Sequence, residues 1–231
     1  MGAYGGTSQA SLSAEPQVMT LPRVAYVYFE EIEMAESYQA LLTTYGCPTT
    51  LIPGDQVAAT AFDAYDLVIA GTDTGYSRVW ADEQNVAAVE GSGKPVVGLG
   101  QGGYSYFGYL GLTIGRPHGA HDRGGAIEPV DPSHPLFSEP YPIEIPESGV
   151  LELCAETDLI HIYLYPAAPE TVTTLGLDAG NPGYYSLVLE NDRYLFWGFE
   201  ANVDSLTEDG RKLFLNVVIR TANAAWAVPA N

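Results

Sequence analysis

Apolar runs in the first half of the chain are separated by helical patterns and by glycine-rich turns. The segment 24–29 is apolar at every position and follows Pro22, as expected of a strand buried on both faces. Residues 31–45 then carry apolar side chains at helical spacing and end before Gly46 and Pro48. The same pattern predicts strands at 49–52, 66–70 and 94–99 and a helix at 79–90.

The second half of the chain has a different pattern. Residues 112–146 are rich in Pro, Gly and His, and they carry few helical signals. Strand-like runs separated by turn residues follow at 158–164, 171–177, 184–190 and 194–199, and a helix is predicted at 207–221. Ser205 and Glu208 form a candidate capping box for that helix. We therefore predict an α/β fold with a mainly parallel flavodoxin- or Rossmann-like sheet, flanked by helices and extended by antiparallel strands in the second half.

The same pattern predicts how the chain is organised. We predict a flexible leader over 1–21, a single α/β domain over 22–222 and a C-terminal tail over 223–231. The first twenty residues are small and polar, without the charged and apolar regions of a signal peptide. Either a signal peptide has been removed or the protein is cytosolic. The small number of lysines and the many Tyr, Gly and Pro residues favour an extracytoplasmic location.

Charge restricts the classes of partner. The chain has 29 acidic and 9 basic residues and a net charge of −20, which argues against a nucleic acid or an anionic membrane surface. No apolar run approaches the length of about 18 residues that a membrane span needs. We expect a small neutral or cationic ligand or a protein partner, and a homo-oligomer remains an alternative. Cys47 and Cys154 are interpreted as buried free thiols, with one disulfide between them as the alternative.

Polar and aromatic side chains follow the ends of several predicted strands. In an open parallel sheet, ligands bind at the carboxyl ends of the strands. We therefore expect these side chains to line one crevice. The candidate ligand residues are Glu30, Thr72, Asp73, Gln101, Tyr104, Glu200 and Asn202.

Four segments resemble the class I glutamine amidotransferases. The run 94–103, KPVVGLGQGG, resembles the nucleophile elbow of that family, where a strand enters a turn of the form G-x-C-x-G. The loop 71–75 resembles the family's oxyanion-binding glycine loop, and 197–202 lies where the family has a strand that ends in His-Pro-Glu. The loop 131–135, DPSHP, is similar to one in the trehalose-utilisation-like branch. The resemblance implies an amidotransferase-like Rossmann fold.

Two positions depart from the family pattern. Gly100 stands where the family has its cysteine nucleophile, and Glu200 stands where it has its histidine base. Amide hydrolysis by this route needs a thiolate and a base within hydrogen-bonding reach of each other. The resemblance therefore implies a fold without amidotransferase activity. We interpret the chain as a non-catalytic binding or interaction module, within an extracytoplasmic assembly.

Two other functions remain open. The acidic crevice residues could serve a carbohydrate-directed or metal-assisted enzyme, with Glu30, Asp73 and Glu200 as its carboxylates. The chain could also be a structural subunit of an oligomer that associates through strands in 158–190. No resident cofactor is expected except a divalent cation, for which His118, His121 and Asp122 are candidate ligands. The alternative is a solvated loop in which these histidines cap turns.

Overall fold

Strands and helices alternate through the first half of the computed structural model, which describes residues 19–224 and Trp226. The strands are β1 (Val24–Tyr28), β2 (Thr49–Pro53), β3 (Leu67–Ala70), β4 (Val96–Leu99), β5 (Gly119–Pro129), β6 (Leu151–Tyr163), β7 (Val172–Asp178), β8 (Tyr184–Glu190) and β9 (Tyr194–Trp197). The helices are α1 (Ile32–Thr44), α2 (Glu83–Gly91), α3 (Gly100–Tyr109) and α4 (Glu208–Ala222). Most of the predicted leader, residues 1–18, lies outside the described residues, as do residues 225 and 227–231 of the predicted tail.

The described strands form one mixed sheet in the order β2-β1-β3-β4-β9-β8-β6-β5-β7. β1 pairs in parallel with β2 and β3, and β4 pairs in parallel with β3 and β9. All pairings of β5, β6, β7 and β8 are antiparallel. Because β7 also pairs with β8, these four strands close into a barrel. The prediction of a mainly parallel flavodoxin- or Rossmann-like sheet is therefore wrong, and the fold is a mixed α/β fold.

Connection length explains the antiparallel half of the sheet. A parallel pair needs a crossover of about a dozen residues or more, whereas two or three residues can join an antiparallel pair. The connection between β8 and β9 spans 191–193, and Asn191 and Asp192 have φ values of 55° and 53°. Positive φ at two successive residues is typical of a tight hairpin turn. These strands therefore return directly beside each other, with no helix between them.

Strand β5 lies within the region 112–146, where signals for regular structure are few in the sequence. The strand has only one fully buried position, Ile127, and three glycines, so it lacks a clear alternation of apolar and polar residues. Its register shifts between Gly124 and Ala126, which is typical of a β-bulge. Residues on both sides of the shift pair with β6, and the last residues of β5, from Ile127 onward, also pair with β7 on the other edge. This second pairing closes the barrel instead of leaving β5 as an edge of the sheet.

Each face of the parallel strands packs against helices through aromatic side chains. On one face, Tyr38 of α1 stacks on Tyr26 of β1 and contacts Phe214 of α4, with ring centroids 5.7 and 4.9 Å apart. On the other face, Tyr106 of α3 contacts Trp80 at 4.7 Å. All of these side chains are buried. Successive residues of a strand point to opposite faces of the sheet, so each face can pack against its own helices. The two layers fix the turn between β4 and α3 in the interior of the fold.

Helix α4 docks closely on the start of β6. Its N-cap is Thr207, whose hydroxyl accepts a hydrogen bond from the Gly210 backbone N–H at 2.9 Å, in place of the predicted capping box at Ser205 and Glu208. A Cβ atom at Gly210 would collide with the carbonyl oxygen of Leu153 in β6. Glycine is therefore required by the close approach of the two backbones. None of the helices between residues 19 and 224 has the length and apolar character needed to cross a membrane.

Gly210→Ala should destabilise the protein, because the added methyl group must push α4 away from β6. Overpacking of this kind costs about 1–3 kcal/mol in the free energy of unfolding, measurable by urea denaturation. The matched control is Gly91→Ala at the exposed end of α2, where an added Cβ meets no atom within 4 Å. That variant should be neutral or stabilised by up to about 1 kcal/mol. Equal unfolding midpoints for the two variants would contradict the close packing.

Candidate functional site

The turn between β4 and α3 places Gly100 directly against the side chain of Glu200. Gly100 has φ +42°, in the left-handed region that glycine adopts at little steric cost. A Cβ atom at this position would collide with Cγ of Glu200 and would lie 2.9 Å from its Oε1 atom. The carboxylate of Glu200 therefore fills the space that a side chain at position 100 would need.

Glu200 is held in this position by hydrogen bonds at both ends. Its Oε1 accepts a hydrogen bond from the Gln101 backbone N–H at 2.8 Å, at the N-terminus of α3. Its own backbone N–H donates to the carbonyl oxygen of Asp158 at 3.0 Å, and its carbonyl accepts from the Thr157 hydroxyl at 3.1 Å. A helix N-terminus favours a carboxylate at this point. The chain therefore supplies its own anion to the first turn of α3.

Burial raises the pKa of Glu200 above its ordinary value. The hydrogen bond from the Gln101 N–H opposes this effect, and the negative charges of Asp158 and Glu31 add to it. The net direction is upward because removal from water penalises the ionised form more than one hydrogen bond stabilises it. The surroundings of Glu200 therefore favour its protonated form.

Asp73 holds the turn after β1 in place. Its Oδ2 atom accepts hydrogen bonds from the backbone N–H groups of Phe29, Glu30 and Glu31, at 2.9, 2.7 and 2.7 Å. The side chain is 8% exposed. Three N–H donors satisfy a buried carboxylate well, so Asp73 links the loop after β3 to the start of α1. This role leaves that oxygen no capacity for a ligand.

The loop after β3 is fixed to α3 through Ser105. The Ser105 hydroxyl oxygen accepts hydrogen bonds from the Tyr76 backbone N–H at 2.9 Å and from Nε2 of Gln101 at 3.0 Å. Tyr76 has φ +56°, which is uncommon for a bulky residue, and its side chain is exposed. Backbone strain of this kind occurs where surrounding contacts over-determine a conformation, often at binding sites. The other amide atom of Gln101, Oε1, is buried without a hydrogen-bond partner among the described residues.

These elements enclose an acidic crevice of about 260 Å³. The residues that line the crevice are Glu31, Met34, Thr72, Asp73, Tyr76, Arg78, Gln101, Asp158 and Glu200. Four of them are carboxylates, and one of these, Asp158, is paired with Arg123 at 2.7 Å. Within the described part of the chain, Arg78 is the single cation of the lining. Its Nη1 donates to the carbonyl oxygen of Asp73 at 3.2 Å, and its guanidinium group lies 5.4 Å from the ring centroid of Phe29.

The structure brings some of the predicted site residues together and separates others. Thr72, Asp73, Gln101 and Glu200 line the crevice. Glu30 and Asn202 line an adjacent depression of about 410 Å³, which shares Glu31 and Met34 with the crevice. Tyr104 lies apart from both: it is 6% exposed, and its hydroxyl group hydrogen-bonds the backbone N–H and carbonyl of Gly119 at 2.9 and 3.2 Å.

The sequence did not predict four of the lining residues, Met34, Tyr76, Arg78 and Asp158. Glu31 was present in the sequence pattern as the start of the first helix. Asp158 lies on β6, which contacts the end of β9 through a bridge between Leu159 and Phe199. No local pattern could place it beside Glu200, because the contact depends on antiparallel pairing between distant segments. Arg78 lies in the loop before α2, where no sequence signal marked it.

The candidate metal ligands His118, His121 and Asp122 are distributed over two faces of one strand and the turn before it. His118 lies in the turn that leads into β5, and His121 and Asp122 are neighbours within that strand. Adjacent residues of a strand point to opposite faces. The His121 ring packs edge-on against Tyr104, with centroids 6.3 Å apart, whereas Asp122 lies within ligand distance of a different group of side chains.

Both cysteines are buried and unpaired, and they lie far from the elbow in sequence. Burial raises the pKa of Cys47 and of Cys154 to about 11. The nucleophile of a cysteine enzyme is the thiolate, which is scarce at neutral pH when the pKa is this high. Neither cysteine therefore has the properties of a catalytic nucleophile.

No protein-family model matches the chain, and no curated protein sequence matches it. Among the solved structures that are similar to it are two that cover most of the chain. A Thermoplasma acidophilum protein assigned as a GMP synthase subunit is 13% identical with a TM-score of 0.53, over 91% of this chain and 97% of that chain. The PurLQS structure from Thermotoga maritima is 16% identical with a TM-score of 0.57, over 86% of this chain and 98% of the matched chain. At these identities the likeness shows a shared glutamine amidotransferase-like fold alone.

Glu200→Gln should alter the pH dependence of stability. The variant keeps an oxygen that can accept from the Gln101 N–H, but it removes the charge. Because the folded-state pKa lies above the ordinary value of 4.5, the folded protein holds this proton more tightly than the unfolded chain. The stabilisation that Glu200 contributes to the folded wild-type protein is therefore fully present below pH 4.5. It is lost as the pH rises through the raised pKa of this side chain.

The measurement is urea denaturation of wild type and variant at a series of pH values. We expect the variant to gain stability relative to wild type as the pH rises from 4.5. Glu36→Gln, at an exposed position of α1, controls for the removal of one negative charge from an acidic protein. Parallel pH profiles for wild type and Glu200→Gln would contradict the burial of this carboxylate.

Proposed function

We propose that the protein is a non-catalytic binding or interaction module with an amidotransferase-like fold. In this proposal Gly100 and Glu200 stand in place of the cysteine nucleophile and the histidine base. One observation carries it: the Glu200 carboxylate fills the space beside Gly100 and accepts the Gln101 N–H. A hydrolase would need this kind of backbone donor for the negative charge that develops on its substrate. We also propose, from the loop 131–135, a relationship to the trehalose-utilisation-like branch.

The chemistry of the surrounding side chains supports the absence of amide hydrolysis. Acyl transfer needs a nucleophile that an adjacent base can activate. The Ser105 hydroxyl group on α3 already accepts two hydrogen bonds, and no histidine of the described residues lines the crevice. The two cysteines are buried with raised pKa values. A ligand in the crevice would therefore be bound and released without a covalent step.

The charge of the crevice favours a neutral or cationic ligand. Glu31, Asp73, Asp158 and Glu200 place four carboxylates around about 260 Å³, against the cation Arg78. Like charges in a partly dry site raise one another's pKa, and an ammonium group or hydroxyl donors relieve this cost. A phosphate would have to overcome this repulsion with a helix N-terminus that Glu200 already occupies. At about 260 Å³ the crevice lies just below the range of about 300–1,000 Å³ that is usual for ligand pockets, so it could hold only a small molecule.

An acid–base enzyme in the same crevice is the second candidate. Burial raises the pKa of Glu200, which is the property needed by a carboxylic acid that donates a proton near neutral pH. Asp158, exposed and paired with Arg123, would be the second carboxylate of such a site. Asp73 cannot take this role with its Oδ2 atom, which accepts three backbone N–H groups. An extracytoplasmic assembly and an oligomeric structural role remain predictions from the sequence.

The purified protein should release no ammonia from glutamine, and Gly100→Cys should not introduce this activity. The new side chain would collide with Cγ of Glu200, and none of the histidines in the described part of the chain lines the crevice to accept the thiol proton. The measurement is ammonia release followed with a coupled assay, alongside thermal unfolding to establish that the variant is folded. Glutaminase activity in the wild type that Glu200→Ala abolishes would overturn the proposal.

A thermal-shift panel should identify the class of ligand. We expect an aliphatic diammonium compound or a neutral hexose to raise the unfolding midpoint, and a hexose phosphate to leave it unchanged. Ligand at 100 times its dissociation constant stabilises a protein by about 2.7 kcal/mol. Glu31→Gln should abolish the shift, whereas Glu36→Gln, elsewhere on α1, should preserve it.

Two outcomes of that panel would count against the proposal. Stabilisation by the hexose phosphate that Arg78→Ala abolishes would show that the cation, not the carboxylates, selects the ligand. Turnover of a sugar substrate with loss of activity in Glu200→Gln would establish the acid–base enzyme in place of the binding module.

A further inference from the structure

The four-stranded barrel contains a second cluster of polar side chains, separate from the crevice. Asp122 on β5, His161 on β6 and Asp178 at the end of β7 each offer a ligand atom, and these atoms lie within 4.8 Å of one another. In the register of β5 and β6, Ala120 lies opposite His161 and Asp122 lies opposite Leu159. Asp122 and His161 therefore project from the same face of this strand pair. None of the three residues lines the crevice.

His161 and Asp178 form a fixed and buried pair. Nδ1 of His161 lies 2.8 Å from Oδ2 of Asp178, and both side chains are nearly inaccessible, at 5% and 6% exposure. Asn181 donates to the same Oδ2 atom at 2.7 Å. The His161 ring packs against Tyr184, with centroids 4.3 Å apart. Nδ1 of His161 and Oδ2 of Asp178 are thus two potential ligand atoms held close together in a buried position.

The pair also has unused ligand capacity. The side-chain hydrogen bonds of Asp178 go to Oδ2, so its Oδ1 has no donor in the described part of the chain. The second ring nitrogen of His161, Nε2, has no hydrogen-bond partner there either. A Cβ atom at Gly124 would lie 3.7 Å from Asp178 Oδ1, so this oxygen lies beside the stretch of β5 that carries Asp122. Asp178 can therefore offer Oδ1 to a ligand without breaking a hydrogen bond made among the described residues.

The charge of the cluster favours a cation. The cluster combines two carboxylates with a single imidazole, a set of ligand atoms that suits a cation and not an anion. Arg123, the neighbouring cation on β5, does not neutralise these carboxylates. It points to the other face of the strand and pairs with Glu156 and Asp158 at 2.9 and 2.7 Å. No arginine or lysine forms an ion pair with Asp122 or Asp178 among residues 19–224.

We propose that Asp122, His161 and Asp178 bind a divalent transition-metal ion with mixed nitrogen and oxygen preference, of which Zn²⁺ is the representative. One imidazole and two carboxylates are a suitable set for such an ion, and water would take the fourth position. Ligands around tetrahedral Zn²⁺ are roughly 3.3 Å apart, from bond lengths of about 2.0–2.2 Å. Nδ1 of His161 and Oδ2 of Asp178 are already 2.8 Å apart, and the three ligand atoms lie within 4.8 Å of one another, so small side-chain shifts would bring them to this spacing. Asp122 is exposed, and its Oδ1 accepts a hydrogen bond from the Arg123 backbone N–H at 2.8 Å, which leaves its Oδ2 to close onto the His161–Asp178 pair.

The test is Zn²⁺ binding to the full chain after treatment with a chelator, measured by isothermal titration calorimetry and by thermal unfolding. We expect one high-affinity ion per chain and a raised unfolding midpoint, with weaker effects of Mg²⁺ and Ca²⁺. Asp122→Asn should weaken binding by at least about tenfold, since losing even a residue that only orients a ligand costs 10–100-fold. This variant should fold, because Asp122 is exposed and outside the buried pair.

Glu152→Gln is the matched control, because it removes an exposed carboxylate from β6 of the same barrel. It should bind Zn²⁺ as wild type does. His161→Gln should abolish binding, and the visible absorption of bound Co²⁺ would report whether an imidazole is coordinated. The proposal is overturned if no ion binds with a defined stoichiometry, or if Asp122→Asn and Glu152→Gln weaken binding equally, as diffuse binding to an acidic surface would require.

Discussion

The contact between Gly100 and Glu200 organises the centre of this fold. The backbone at Gly100 adopts a left-handed conformation, and the absence of a Cβ atom lets the Glu200 side chain enter the turn. There its carboxylate accepts a hydrogen bond from the Gln101 N–H in the first turn of α3. A negative charge that burial disfavours is thus stabilised by a helix N-terminus. Any side chain at position 100 would displace this carboxylate. The glycine and the glutamate therefore form one structural unit, and the character of the crevice depends on both.

The antiparallel pair of β5 and β6 contributes to two sites from its two faces. Arg123 lies opposite Asp158 in the register of the strands, and their ion pair lies on the face of the crevice. Asp122 and His161 project from the other face and meet Asp178 inside the barrel. This division follows from the two-residue period of a strand, since odd and even positions point in opposite directions. One strand pair thus carries the acidic wall of the crevice and the proposed metal site.

Much of the first half of the fold could be predicted from the sequence because its signals are local. The apolar run 24–29 and the glycine-rich segment after residue 98 identify a strand and a strand-to-helix turn without knowledge of their neighbours. Thr72, Asp73, Gln101 and Glu200 could be placed in one crevice because they follow strand ends. Tyr104 could not be placed by the same rule, since its hydroxyl group bonds to Gly119 and the side chain is buried elsewhere.

The amino-acid sequence was enough to establish the acidic charge and the strand-to-helix turn. It also showed Gly100 in that turn and Glu200 after the last strand. Three further features became apparent only in the folded chain. Four strands close into a barrel, Arg78 and Asp158 line the crevice, and His161 meets Asp122 and Asp178. These contacts join residues far apart in the chain. The hydrophobic pattern of a strand indicates which face is buried, but it does not identify the distant strand with which it pairs.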